Sequence, residues 1–164
     1  SDVGGVKLNI KNEAELREAY AAIMDSCRKN APAARLEGVL LKPMLKAGVE
    51  MIIGVNNDSD FGPMIMVGMC GVFVELFKDV HLAPAPLTRL QAERLIENLA
   101  SYPLLNGYRG GVGCDKEALA NLLVKISEMA AECKDTVKEL DINPVFVTED
   151  GAAIADALLV VYDD

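Results

Sequence analysis

Residues 139–158, Glu139-Leu-Asp-Ile-Asn-Pro-Val-Phe-Val-Thr-Glu-Asp-Gly-Ala-Ala-Ile-Ala-Asp-Ala-Leu, commit the end of the chain to a hairpin. Apolar residues dominate both halves, and the Asp150-Gly151 step between them, with Glu149, is a strong short-range turn signal. Side chains alternate along a strand, so Leu140 and Ile142 point one way while Glu139, Asp141 and Asn143 point the other. The returning strand carries Asp156 inside an apolar run, where a charge without a partner is costly. Oxygen donors gathered on facing strands, with no His or Cys among them, suit a hard ion such as Mg²⁺ rather than zinc. The hairpin is therefore a metal-site candidate. The plainer reading of Asp141-Ile-Asn-Pro144 is a strand end, with Asn143 accepting turn hydrogen bonds ahead of a proline.

The 164 residues suit one domain by length, and half of them are apolar. A net charge of −9 argues against nucleic acid, whose binding draws most of its affinity from a basic face. It is neutral toward a nucleotide, because a divalent ion bridges phosphates and carboxylates. No apolar run of about twenty residues predicts a membrane span. The start, Ser1-Asp-Val-Gly-Gly5, has neither an initiator Met nor a signal-like region. Cys27, Cys70, Cys114 and Cys133 show no paired spacing; Cys27 and Cys133 fall on apolar helix faces and are expected to be core thiols in a reducing, cytoplasmic setting.

Along the chain, the pattern predicts a strand at Val6–Ile10 and a helix opened by Asn12 with Glu15 three residues on, its apolar face being Leu16, Tyr20, Ile23, Met24 and Cys27. Arg28 to Arg35 is a polar turn. A strand is predicted at Val39–Met44, then a meander of Val49–Val55, Pro63–Met69 and Val72–Phe77. Its continuous apolar runs predict helices on both faces of the sheet. Thr88 with Gln91 opens a helix carrying Ala92, Leu95, Ile96 and Leu99. Asp115 caps another, with Leu119, Leu122, Leu123, Ile126 and Met129 in register. The order is that of an α+β fold with a mixed, mainly antiparallel sheet and flanking helices, not a doubly wound βαβ series.

Five segments, taken in order, resemble one family: Asp2-Val-Gly-Gly-Val-Lys-Leu8, Gly48-Val-Glu-Met-Ile-Ile-Gly54, Phe61-Gly-Pro-Met-Ile-Met-Val-Gly-Met-Cys-Gly-Val-Phe-Val-Glu-Leu-Phe-Lys-Asp-Val80, Leu105-Asn-Gly-Tyr-Arg-Gly110 and Leu140-Asp-Ile-Asn-Pro-Val145. The chain resembles the ATP-grasp domain of nucleoside-diphosphate-forming acyl-CoA synthetases, which is related to the succinyl-CoA synthetase beta subunit, with the N-terminal part of that domain lacking. The resemblance implies that residues 1–47 are the C-terminal part of the first ATP-grasp subdomain and 48–164 the second, with adenine between them. It implies interconversion of acyl-CoA, ADP and phosphate with a carboxylic acid, CoA and ATP through acyl phosphate and a phosphorylated histidine. ATP/ADP and Mg²⁺ are the implied cofactors. The implied partners are CoA-binding and ligase portions in the same or a second polypeptide, with CoA and an acid as substrates and neither nucleic acid nor membrane involved.

By the same resemblance, backbone groups of Leu41, Lys42 and Met44 read the adenine edge, the Lys42 side chain being a surface lysine. Glu50 accepts from the ribose hydroxyls through charge-assisted bonds. Asn143 and Asp156 hold Mg²⁺, and Asp141 orients the histidine by accepting its N–H. Arg109 in Tyr108-Arg-Gly-Gly111 either binds phosphate or pins its loop by a salt bridge, the second being favoured. Glu75 either lines the cavity or faces solvent. Gly4-Gly5 is as much a turn as a phosphate loop. Cys70 is a departure: the family usually has two adjacent glycines at 70 and 71, and Cys70 adds bulk there. Neither Cys70 nor the lone His81 has a nucleophile motif around it, and His81 is expected on the sheet. The competing class is a non-catalytic regulatory or assembly module that keeps the ATP-grasp fold, told apart by whether nucleotide binding depends on Mg²⁺ and Asp156. A purely structural Mg²⁺ or Ca²⁺ site is a third reading.

Overall fold

The structure, a computed structural model, describes residues 4–71, 78–107 and 111–162. The Val72–Phe77 strand, Glu75 and the Tyr108–Gly110 part of the arginine loop lie outside the described residues. The chain divides into two compact units, Ser1–Met44 and Leu45–Asp164.

The first unit is built on helix α1 (Glu13–Asn30). Asn12 accepts from the Glu15 N–H at 2.9 Å, and Glu15 reaches back to the Lys11 N–H at 2.9 Å. Donors that helix geometry leaves unpaired are thereby satisfied. Ala19 and Met24 are buried, whereas Tyr20, predicted on the apolar face, is exposed. Cys27 is half-buried rather than a core thiol. The predicted strands at Val6–Ile10 and Val39–Met44 do not form among the described residues. A strand exists by pairing, and Val6, Leu8, Leu40 and Leu41 stay exposed with no neighbouring strand to order them.

The second unit is a six-stranded sheet: β1 (Val49–Asp58), β2 (Gly62–Met69), β3 (Val80–Pro84), β4 (Val137–Thr148), β5 (Gly151–Ile154) and β6 (Ala157–Val161). The order is β3-β2-β1-β4-β5, with β6 also on β4. Every described pairing is antiparallel, in keeping with the expected mainly antiparallel sheet. Asp58 makes the first turn by accepting from Asp60 and Phe61 N–H, which holds its carboxyl below the usual range. The third strand of the meander is Val80–Pro84, around His81.

Burial alternates along the strands. Met51, Ile53 and Val55 of β1, Ile65, Val67 and Met69 of β2, and Leu140, Ile142, Val145 and Val147 of β4 form one buried face. Helices α2 (Arg89–Glu97), α3 (Tyr102–Leu105) and α4 (Lys116–Glu132) pack on it through Ile96, Leu105, Leu119 and Leu123. Within this unit the described helices therefore cover one face, not both as the apolar runs predicted. Ile52, Met64, Met66 and Phe146 on the other face are only partly buried.

Local chemistry fixes the helix starts. Thr88 and Gln91 form a reciprocal capping box for α2, and Asp115 accepts from the Ala118 N–H at 2.9 Å to start α4. Cys133 caps the end of α4 half-buried, not as a core thiol. Buried Ser127 accepts from the Leu87 N–H at 2.8 Å and donates to the Val124 carbonyl. Asp79, also buried, accepts from the Ala100 and Ser101 N–H groups at 2.8 Å each.

Candidate functional site

The predicted metal pair sits where the C-terminal hairpin changes character. β4 pairs with β5 from Val145↔Ile154 outward and with β6 from Ile142↔Ala157 outward. Between these stretches, where residues 155 and 156 belong to no strand, the Asn143 N–H donates to the Asp156 carbonyl at 3.1 Å and the Ala155 N–H to the Pro144 carbonyl at 3.0 Å. The backbones of Asn143 and Asp156 thus face one another. The Asn143-Pro144 peptide bond is cis. Buried positions are Leu140 and Ile142 before this step and Val145 and Val147 after it, so the inward set shifts by one residue. The adjoining strand absorbs the shift: Met51 pairs Val145 and Ile53 pairs Ile142, so Asn143 and Pro144 of β4 stand against Ile52 alone.

That irregularity aims polar groups away from the helices. Asp141, paired with Gly54 and Leu158, is half-buried, while Asn143 and Asp156 are exposed. Glu50, exposed at the start of β1, pairs with Phe146. Its carbonyl accepts the Cys70 N–H at 2.9 Å, which extends the β1–β2 ladder past Met69. The Cys70 thiol in turn donates to Asn143 Oδ1 at 3.1 Å. Burial, then the charges of Glu50 and Asp141, push this thiol up to about 11, so at neutral pH it stays protonated and is no nucleophile. Glu50 and Asp141 are thus near enough to act on the Cys70 thiol, which bonds Asn143, and the Asp156 backbone is bonded to Asn143 from the other side of β4.

Beside them lies an open depression of about 420 Å³ bounded by Glu50, Cys70, Leu104, Gly107 and Gly111. Gly107 has φ 80°, and a side chain there would collide with the Gly111 carbonyl, so the loop closes only with glycine. Leu41, Lys42 and Met44 are exposed residues of the first unit. His81 is held in β3 with Nε2 3.0 Å from the Asn98 carbonyl, a structural contact.

No group of three His, Cys, Asp or Glu side chains with metal-ligand geometry occurs among the described residues. Magnesium does not need one, because it usually keeps several waters and is held by one or two protein oxygens plus substrate phosphates. Asn143 and Asp156 each carry a side-chain oxygen of the kind magnesium takes. Sequence reasoning missed Cys70 as a partner of Asn143, because the contact spans 73 positions and depends on the β1–β2 register that places Glu50 beside Cys70.

A family model described as an ATP-grasp domain matches residues 1–161. The chain is 45% identical over 161 residues to the beta subunit of acetate–CoA ligase [ADP-forming] I of Pyrococcus furiosus, a match that covers 98% of this chain and 69% of that subunit. It is 42% identical to acetate–CoA ligase [ADP-forming] I of Archaeoglobus fulgidus, where it covers 24% of a longer polypeptide. Its fold matches, with a TM-score of 0.87 and 37% identity, the dinucleotide-forming acetyl-coenzyme A synthetase 1 of Ca. Korarchaeum cryptofilum in complex with coenzyme A and Mg-AMPPCP, whose phosphohistidine segment points towards the nucleotide-binding site. That match covers 98% of this chain and 70% of the other.

Proposed function

Because the chain belongs to the ATP-grasp domains of ADP-forming acyl-CoA synthetases, we propose that it supplies the nucleotide and magnesium site of such a ligase, with Asn143 and Asp156 as the metal-holding pair. The observation that carries this reading is the bond from the Asn143 N–H to the Asp156 carbonyl, which brings the two residues together beside Asp141. The reaction is conversion of acyl-CoA, ADP and phosphate to acid, CoA and ATP through acyl phosphate and a phosphohistidine. Catalysis of phosphoryl transfer is mostly positioning and charge neutralisation. Magnesium, when bound, neutralises the phosphates that would otherwise meet this acidic chain.

The chain's own residues hold and orient. Glu50 accepts from the ribose hydroxyls, the Leu41–Met44 backbone reads the adenine edge, and Asp141 accepts an N–H of the phosphoryl-carrying imidazole, stabilising its cationic form. That imidazole comes from another portion of the protein or from a partner, since His81 is occupied in β3. We assign residues 1–47 to the first ATP-grasp subdomain and 48–164 to the second. No described helix is long and apolar enough to cross a membrane, and four unpaired cysteines suit a cytoplasmic setting.

The test is Asp156→Ala in the protein complete with its CoA-binding and ligase portions. Mg²⁺-dependent binding of ATP should fall at least about tenfold, as expected when a coordinating group is removed, with the fold retained because Asp156 is exposed. Unchanged Mg²⁺ dependence would remove the metal assignment.

A further inference from the structure

The proposed function gives Cys70 no part, although its thiol touches a residue assigned to the metal. Its Sγ lies 3.1 Å from Asn143 Oδ1, on the side chain assigned to hold magnesium. An asparagine amide offers an oxygen on one side and a donating NH₂ on the other, and only the oxygen binds a cation. The surroundings favour the wrong orientation. Glu50 and Asp141 are near enough to act electrostatically on the Cys70 thiol, and two carboxylates attract the NH₂ of a neighbouring amide. A thiol that donates to Oδ1 opposes that rotation and leaves the second lone pair of the oxygen open.

We propose that Cys70 is a positioning residue for divalent-metal binding, its thiol holding the Asn143 amide with the oxygen presented to the site. This rests on the reading of Asn143 as a metal ligand. A glycine at position 70 offers no such donor, so the device belongs to sequences that carry a hydrogen-bonding side chain here. Cys70 is anchored for the task through its own N–H on the Glu50 carbonyl at 2.9 Å, and Gly71 beside it has φ 79°, a conformation that glycine adopts freely.

The experiment measures Mn²⁺ binding in the presence of ADP, by loss of the free-Mn²⁺ EPR signal, in the complete protein. Loss of one hydrogen bond that orients a ligand should weaken Mn²⁺ binding about 3- to 10-fold in Cys70→Ala. Cys70→Ser, which keeps a donor, should stay within about twofold of the parent. In an Asn143→Ala background, Cys70→Ala should add nothing, because the two act through one amide. The inference is overturned if Cys70→Ala binds Mn²⁺ as tightly as the parent or more tightly, if Cys70→Ser is as weak as Cys70→Ala, or if the Cys70→Ala effect persists in the Asn143→Ala background. If Asn143→Ala alone leaves Mn²⁺ binding unchanged, the metal assignment fails and takes this inference with it. If Asn143→Ala weakens binding and Cys70→Ala does not, the inference alone fails.

Discussion

Asp79 shows how a single side chain ties the sheet to the helical layer. It precedes β3 and accepts the Ala100 and Ser101 N–H groups that lead into α3. Burial pushes its carboxyl up, but the Ser101 side chain and the Ser101 and Ala100 N–H groups together outweigh burial and hold it below the usual range. The bound form is the carboxylate, so its stabilisation is complete above the ordinary carboxylate range and is lost as pH falls through the lowered folded value. Asp79→Asn should cost about 1–3 kcal/mol at pH 7 and flatten the acid limb of a stability profile. An acid limb unchanged by the substitution would show that Asp79 is not the group responsible. At the site, Asp141→Asn should lower turnover of the complete protein while leaving Mg²⁺-dependent ATP binding within about twofold, as for a group that acts only on the transferring imidazole. Equal losses in binding and turnover would instead make Asp141 part of the nucleotide site. The acids themselves were visible in the sequence, because an Asp inside an apolar strand stands out. The contact between Cys70 and Asn143 spans 73 positions, so no local pattern announces it.

Among the elements, helix starts are set within four residues and were correspondingly legible. Thr88 with Gln91 and Asp115 ahead of Ala118 form the bonds that their spacing predicts. Thr88→Ala should cost about 1 kcal/mol, measured as a shift in denaturant midpoint without a change in slope. Strands obey a different rule, since half of what defines them lies elsewhere in the chain. Val6–Ile10 has the alternation of a strand and Val39–Leu41 an apolar run, but neither segment has a described strand neighbour and neither forms a strand, whereas Val80–Pro84 is short yet pairs fully with β2. Gly48, just ahead of β1, sits against the Val147 carbonyl, which a methyl group would overlap. Gly48→Ala should therefore destabilise the sheet by about 1–3 kcal/mol, the cost of overpacking against backbone that cannot move freely. Wild-type stability in that variant would mean that the β1–β4 contact is looser than described.

For the whole molecule, one buried face of the sheet and the helices on it supply a continuous core from Met51 to Val147. The 164-residue chain by itself should therefore unfold cooperatively in denaturant. It should not turn over acyl-CoA, because the only histidine in the chain is His81, committed to Asn98 in β3. Supplying the CoA-binding portion and the segment with the transferring histidine should restore turnover. Acyl-CoA synthesis by the chain alone would overturn the histidine route.

The sequence by itself determined the α+β class, the hairpin turn at Glu149–Gly151, the helix caps and the identity of Asp141, Asn143 and Asp156 as residues of interest. Each of these follows from interactions between near neighbours or from a charge out of place in an apolar run. Tertiary structure decided which strands exist, that the described helices of the second unit cover only one face of its sheet, and that the backbones of Asn143 and Asp156 face one another with Cys70 bonded to the Asn143 amide oxygen. Those outcomes depend on register, and a register is a choice between distant segments that only packing the buried face makes.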